Sequence, residues 1–151
     1  MFYSYCILFF IFSFLGWVME VTLTLITDKK FVNRGFLLGP CCPIYGCGCL
    51  LLNLLLQNYV NNIIVLFILT MFTCSLLEYI TSFLMEKIFK LRWWDYSQMR
   101  FNINGRICLE TMIPFGLLAS LIIYILHPAV IKIVDTLSPT ALLVVAITLF
   151  I

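Results

Sequence analysis

Four glutamates and two arginines stand inside or at the edges of long apolar runs: Glu20, Glu78, Glu86 and Glu110, with Arg34 and Arg106. An ionisable group at membrane depth costs a few kcal/mol, roughly 2.5–3.5 on insertion scales, so each of these points to function or to an ion pair. Guanidinium groups present forked donors that match phosphate or carboxylate. Both arginines adjoin a glycine, as Arg34-Gly35 and Gly105-Arg106, where a second and a fourth helix are expected to begin. A helix start offers free N–H groups and partial positive charge, and glycine lets an anion approach the backbone. With Asn33, Tyr45 and Asn104, the candidate substrate-binding set is therefore Glu20, Asn33, Arg34, Gly35, Tyr45, Glu78, Glu86, Asn104, Arg106 and Glu110. The plainer alternative is that the glycines serve turns, the arginines set topology, and Arg106 pairs with Glu110 four residues along one helix face.

The elements that must position these groups follow from composition. Of the 151 residues 64% are hydrophobic and 11% charged, and mean hydropathy is +1.12. An integral membrane protein results, and because backbone groups cannot face lipid unpaired, its runs of about 20 apolar residues predict helices. Strand-type alternation is absent, which excludes a β-barrel. The predicted fold is an all-α polytopic bundle of four to five helices in a single transmembrane domain, residues 1–151. Its spans are about 2–26, 38–57, 63–89, 106–126 and a short 138–151, a marginal crossing or a truncated one. The N-terminal run has no basic region and no cleavage pattern, so it is kept as a span. His127-Pro128 is expected to end the fourth helix, with His127 a turn residue at the interface and the next segment an amphipathic piece along it.

Apart from Lys132, every Lys and Arg falls in or beside the loops after the first and third helices. The positive-inside rule then places the N-terminus outside and both basic loops in the cytoplasm. Between Lys90 and Gly105 the aromatics and charges Arg92, Trp93, Trp94, Asp95 and Tyr96 make either an interfacial anchor or a partner-docking surface, with a short surface helix as the expected conformation.

Seven cysteines lie in or near apolar segments. Cys41, Cys42, Cys47 and Cys49 lack the pairing and histidines of a metal site, and read as small hydrophobes. No metal, cofactor or nucleic-acid partner is expected, and no nucleotide-hydrolysing or catalytic motif is found. A weak repeat pairs Met19-Glu20 and F-x-N-x-G with Met85-Glu86 and F-N-x-N-G, followed by Tyr45-Gly46 and Phe115-Gly116. It suggests a parallel duplication of a two-helix unit.

Several strings are long and irregular: G-W-x-x-E from Gly16, N-R-G-F-L-x-G-P-x-x-P-I-Y-G from Asn33, M-E at Met85, W-W-D-Y-S from Trp93 and F-N-I-N-G-R-I from Phe101. Together they resemble the small bacterial membrane proteins grouped as ABC-transporter permeases, type IV. The resemblance implies a multi-pass bacterial plasma-membrane protein acting in transport, self-associating into a homo-oligomer and recruiting a cytoplasmic ATPase subunit. An alternative function is an intramembrane enzyme or lipid-binding protein handling an anionic headgroup or solute at the inner leaflet, with Arg34 and Arg106 on phosphate. A third is an assembly factor in which the Glu and Arg groups only lock helices together.

Overall fold

A computed structural model describes residues 2–36 and 39–150; Leu37 and Leu38 of the Asn33 to Gly46 string, and Ile151 at the end of the expected last span, lie outside the described residues. The chain is an all-α helical bundle in which α1 is Phe2–Asp28, α2 Pro43–Leu56, α3 Ile63–Phe89, α4 Leu109–Leu121, α5 His127–Asp135 and α6 Pro139–Phe150. Sheet among the described residues is one small hairpin, β1 Asn102–Ile103 against β2 Ile107–Cys108. Three helical stretches, Phe2–Asp28, Ile63–Phe89 and Leu109–Asp135, are long and apolar enough to cross a membrane. Each has 27 residues, and at 1.5 Å per residue such a helix spans about 40 Å against roughly 30 Å of hydrocarbon. At 14 and 12 residues, α2 and α6 are shorter than a perpendicular crossing needs.

The third stretch passes through Pro128, where a stop is expected from sequence. Proline lacks an N–H, and its ring clashes with the carbonyl four residues back. The helix accommodates both by widening to a π-helix over Ile122–Leu126, just ahead of α5. His127 is thus a helical residue, buried and stacked on Phe12, rather than an interfacial turn.

Two compact units make up the chain. The first comprises Met1–Leu51 with His127–Ile151. In it α2 crosses α1 closely: a Cβ added to Gly46 would strike the Phe9 carbonyl and Ser13 Oγ, and one added to Gly16 would strike the Tyr45 side chain. The connecting segment is fastened by Cys42 N–H to the Ser13 carbonyl at 3.0 Å, and α2 starts at the next residue, Pro43. The second unit is Leu52–Leu126. Its core joins Leu52, Leu56, Leu66, Ala119 and Ile123. Across α3 and α4 the Thr70 hydroxyl meets the Gly116 carbonyl at 3.1 Å and Ser120 Oγ at 2.9 Å.

Both units are built on one plan. In α1 and just beyond it, Glu20 to Phe31 reads E-x3-T-x3-D-K-x-F, and Glu78 to Phe89 of α3 reads E-x3-S-x3-E-K-x-F. Upstream, Leu8-Phe9 and Phe14 match Leu66-Phe67 and Phe72, and Leu8 and Leu66 are both fully buried. Gly46 abuts Phe9 and Ser13, while Gly116 abuts the matching Phe67 and Met71. The counterpart of Glu20 is therefore Glu78, and that of Glu86 is Asp28, which corrects the register suggested by the two Met-Glu pairs.

Candidate functional site

In the second unit the carboxylates and arginines form one network under the Lys90 to Gly105 segment. Asn62 caps the start of α3 by accepting from Val65 N–H at 3.2 Å, and Lys90 ends the helix in the left-handed region, φ 59°. The chain then runs as an irregular loop, not as a surface helix, into the hairpin. Asn104 and Gly105 have φ of 55° and 67°, and Arg106 N–H reaches the Ile103 carbonyl at 3.0 Å. Positive φ at both central residues is what a type I′ hairpin turn needs, and Asn-Gly is its preferred pair. Gly105-Arg106 consequently belongs to a hairpin, and α4 begins at Leu109, with Glu110 exposed in its first turn. Arg106 precedes the helix, so the i to i+4 pair with Glu110 does not form.

Arg106 turns instead to α3. Its guanidinium donates to Glu86 Oε2 at 2.5 Å and Ser82 Oγ at 3.2 Å, and lies 5.7 and 5.4 Å from the Tyr79 and Phe83 ring centres. Glu86 uses its other oxygen for Arg92 at 3.1 Å. The loop is pinned further by Tyr96 O–H to Glu78 at 3.0 Å, Trp94 Nε1–H to the Arg106 carbonyl at 2.9 Å, and Asn104 to the Tyr79 hydroxyl at 2.8 Å. Asp95 accepts from the Ser97 hydroxyl at 2.5 Å and its N–H at 2.9 Å, with Arg92 at 3.6 Å. These contacts, the Ser97 hydroxyl foremost, hold the Asp95 carboxyl below the usual aspartate range. Glu78, Glu86, Asn104 and Arg106 are thus gathered together, and four of the five expected docking residues, Arg92, Trp94, Asp95 and Tyr96, brace the loop from within. Trp93 packs edge-on against Phe89, and Arg100 and Phe101 are exposed.

The first unit gathers Glu20, Asn33, Arg34, Gly35 and Tyr45. The Tyr45 hydroxyl bonds the Glu20 carboxylate. Asn33 Oδ1 accepts from the Trp17 indole at 2.7 Å and from Gly35 N–H at 3.0 Å. Arg34 donates through Nε to Thr24 Oγ1 at 3.2 Å. Arg34 and Gly35 lie well before α2, so the charge at this place comes from the guanidinium and not from a helix start.

Hidden from sequence reading were Thr24, Ser82, Tyr79 and Ser97, polar partners supplied by helix or loop neighbours. The signal for two of them was the hydroxyl one turn after Glu20 and Glu78. No group of three or more potential metal ligands occurs among the described residues.

Residues 7–151 match a family model described as Putative ABC-transporter type IV. The chain belongs to that family. With three membrane-length apolar helices, this member of the ABC-transporter type IV family is a multi-pass membrane protein. No curated protein and no solved structure matches it.

Proposed function

We propose that the protein is a permease-like subunit of an ABC-type transporter in a bacterial plasma membrane, and that its Lys90 to Gly105 segment meets a cytoplasmic ATPase. Family membership supports the transport class. The observation that carries the partner assignment is the bracing of this loop by Glu86, Arg106, Glu78 and Tyr79. A loop so fixed to the end of α3 transmits a push to the helix instead of absorbing it. The outward groups Trp93, Arg100 and Phe101 then form the contact face, and a cytoplasmic side for this loop is supported by the Lys and Arg concentrated around it. In this reading each unit offers the substrate its own polar groups, Glu20 and Arg34 in the first and Glu78, Glu86 and Arg106 in the second, and copies of the chain associate to complete the permease.

The test is purification in gentle detergent from the native host. A nucleotide-hydrolysing subunit should co-purify with the wild-type chain and be lost with Phe101→Asp or Arg100→Glu. Repeated absence of such a subunit, both in detergent and after cross-linking in native membranes, would overturn the reading.

A further inference from the structure

The duplicated plan makes one difference between the units informative. In each, an arginine entering from the following segment donates to the hydroxyl one turn beyond the glutamate: Arg34 to Thr24, and Arg106 to Ser82. In the second unit that arginine also grips a carboxylate, Glu86, one turn further along α3. The matching position in the first unit is Asp28, one methylene shorter. No carboxylate lies within 4.0 Å of the Arg34 guanidinium among the described residues. The rings that flank Arg106, Tyr79 and Phe83, are matched by Val21 and Leu25, so Arg34 has no aromatic face there either.

We infer that Arg34, held on Thr24, is an anion-binding site for the phosphate or carboxylate group of an external ligand, filling the role that the Glu86 carboxylate fills for Arg106. Chemistry at the sister site supports this, because there an arginine held on the matching hydroxyl, through Nη1 where Arg34 uses Nε, already binds an oxyanion. Nor does the nearby Glu20 oppose it: Glu78 occupies the equivalent place, and Arg106 holds its carboxylate nonetheless. Nε is committed to Thr24, which orients the guanidinium and leaves the two terminal nitrogens to fork onto two oxygens. Lys29 and Lys30 add positive charge nearby in the sequence. The inference holds whether or not an ATPase partner exists.

The ligand can be a lipid headgroup or a soluble anion, and two probes separate them. Native mass spectrometry of protein taken from bilayers of equal phosphatidylglycerol and phosphatidylcholine measures lipid retention, and thermal unfolding with added inorganic phosphate measures a soluble anion. For a lipid site, the wild type should retain phosphatidylglycerol over phosphatidylcholine by about tenfold, because both carry the phosphodiester but the choline ammonium of the second is repelled by Arg34 with Lys29 and Lys30. For a soluble-anion site, retention is even and phosphate raises the unfolding temperature. In either case Arg34→Gln should abolish the effect and Lys132→Gln should not. Asp28→Glu, which leaves Arg34 in place and lengthens the internal acid to match Glu86, should also weaken it. Equal retention together with no phosphate shift in the wild type, or effects unchanged by Arg34→Gln and Asp28→Glu, would overturn the inference. Circular dichroism and elution volume verify the fold of each variant, and Asp28→Glu decides if Arg34→Gln does not fold.

Discussion

Replacing Gly46 with alanine puts the closest helix crossing of the first unit to the test. In an open helix position the change is favourable, because alanine exceeds glycine by about 0.8–1.0 kcal/mol in helix propensity. At Gly46 the added methyl would overlap the Phe9 carbonyl oxygen, Ser13 Oγ and the Phe9 ring. The ring and hydroxyl can turn aside, but the carbonyl belongs to the α1 backbone and moves only if the helix moves. Parting the two helices by 0.5–1 Å forfeits about a quarter to a half of the dispersion energy of each contact across the crossing. Overpacking of this kind costs about 1–3 kcal/mol. Because the overlap involves backbone, the upper part of that range, about 2–3 kcal/mol, applies, and subtracting the propensity gain leaves an expected net loss of about 1–2 kcal/mol. Equilibrium unfolding in mixed detergent micelles would read this, with Gly39→Ala as the control, because nothing lies within 4 Å of a Cβ there. Adding Ser13→Ala should restore only part of the loss, the carbonyl overlap being untouched. A Gly46→Ala protein as stable as the wild type, or more so, would refute the close crossing.

Other consequences can be measured on the same protein. Thr70→Val removes the hydroxyl that joins α3 to the Gly116 carbonyl and Ser120; it should lower stability by about 0.6–1.7 kcal/mol, the range for hydrogen bonds between membrane helices, and Thr70→Ser should recover most of it. Arg106→Gln should speed trypsin cleavage after Arg100 by freeing the loop from Glu86 and Ser82, and Arg106→Lys should restore little, since one ammonium lacks the planar fork that serves both partners. Because the Asp95 carboxyl is held below its ordinary value, its contribution to loop order is complete above the usual aspartate range, roughly pH 4, and is lost as pH falls through the lowered value. Normalised amide-exchange protection at Ser97 should follow that loss, and Asp95→Asn should abolish the pH dependence.

The long apolar runs made α1 and α3 legible from sequence, because a helix that pairs its own backbone needs no information from elsewhere in the chain. The grouping of Glu20 with Tyr45, and of Glu86 with Arg106, lay within the expected residue set, but their bonds did not. Gly-Arg before an apolar run resembles a helix start, which makes Arg106 look like a helix residue, although Asn104-Gly105 after Ile103 signals a hairpin turn. The start of α2 at Pro43 suits a proline at the first helical position, whereas the Cys42 bond to Ser13 just before it is a contact distant in sequence. Passage of the helix through Pro128 depends on a π turn that the widening of only five residues creates, Ile122–Leu126. The Met-Glu pairs suggest one register for the repeat, whereas the neighbours of Gly46 and Gly116, Phe9 with Ser13 and Phe67 with Met71, match Glu20 with Glu78.

Phe101 holds φ at 51° and is 79% exposed, between the brace at Arg92 and the turn at Asn104-Gly105. A bulky residue in that conformation costs on the order of 1–3 kcal/mol and persists only where its surroundings over-determine it. Whatever molecule meets this ring meets a shape already chosen, so the ordering cost of about 1–2 kcal/mol per backbone residue has been met during folding. Calorimetry of that encounter should therefore show a negative heat-capacity change from apolar burial without the large entropic deficit of a segment that folds as it binds.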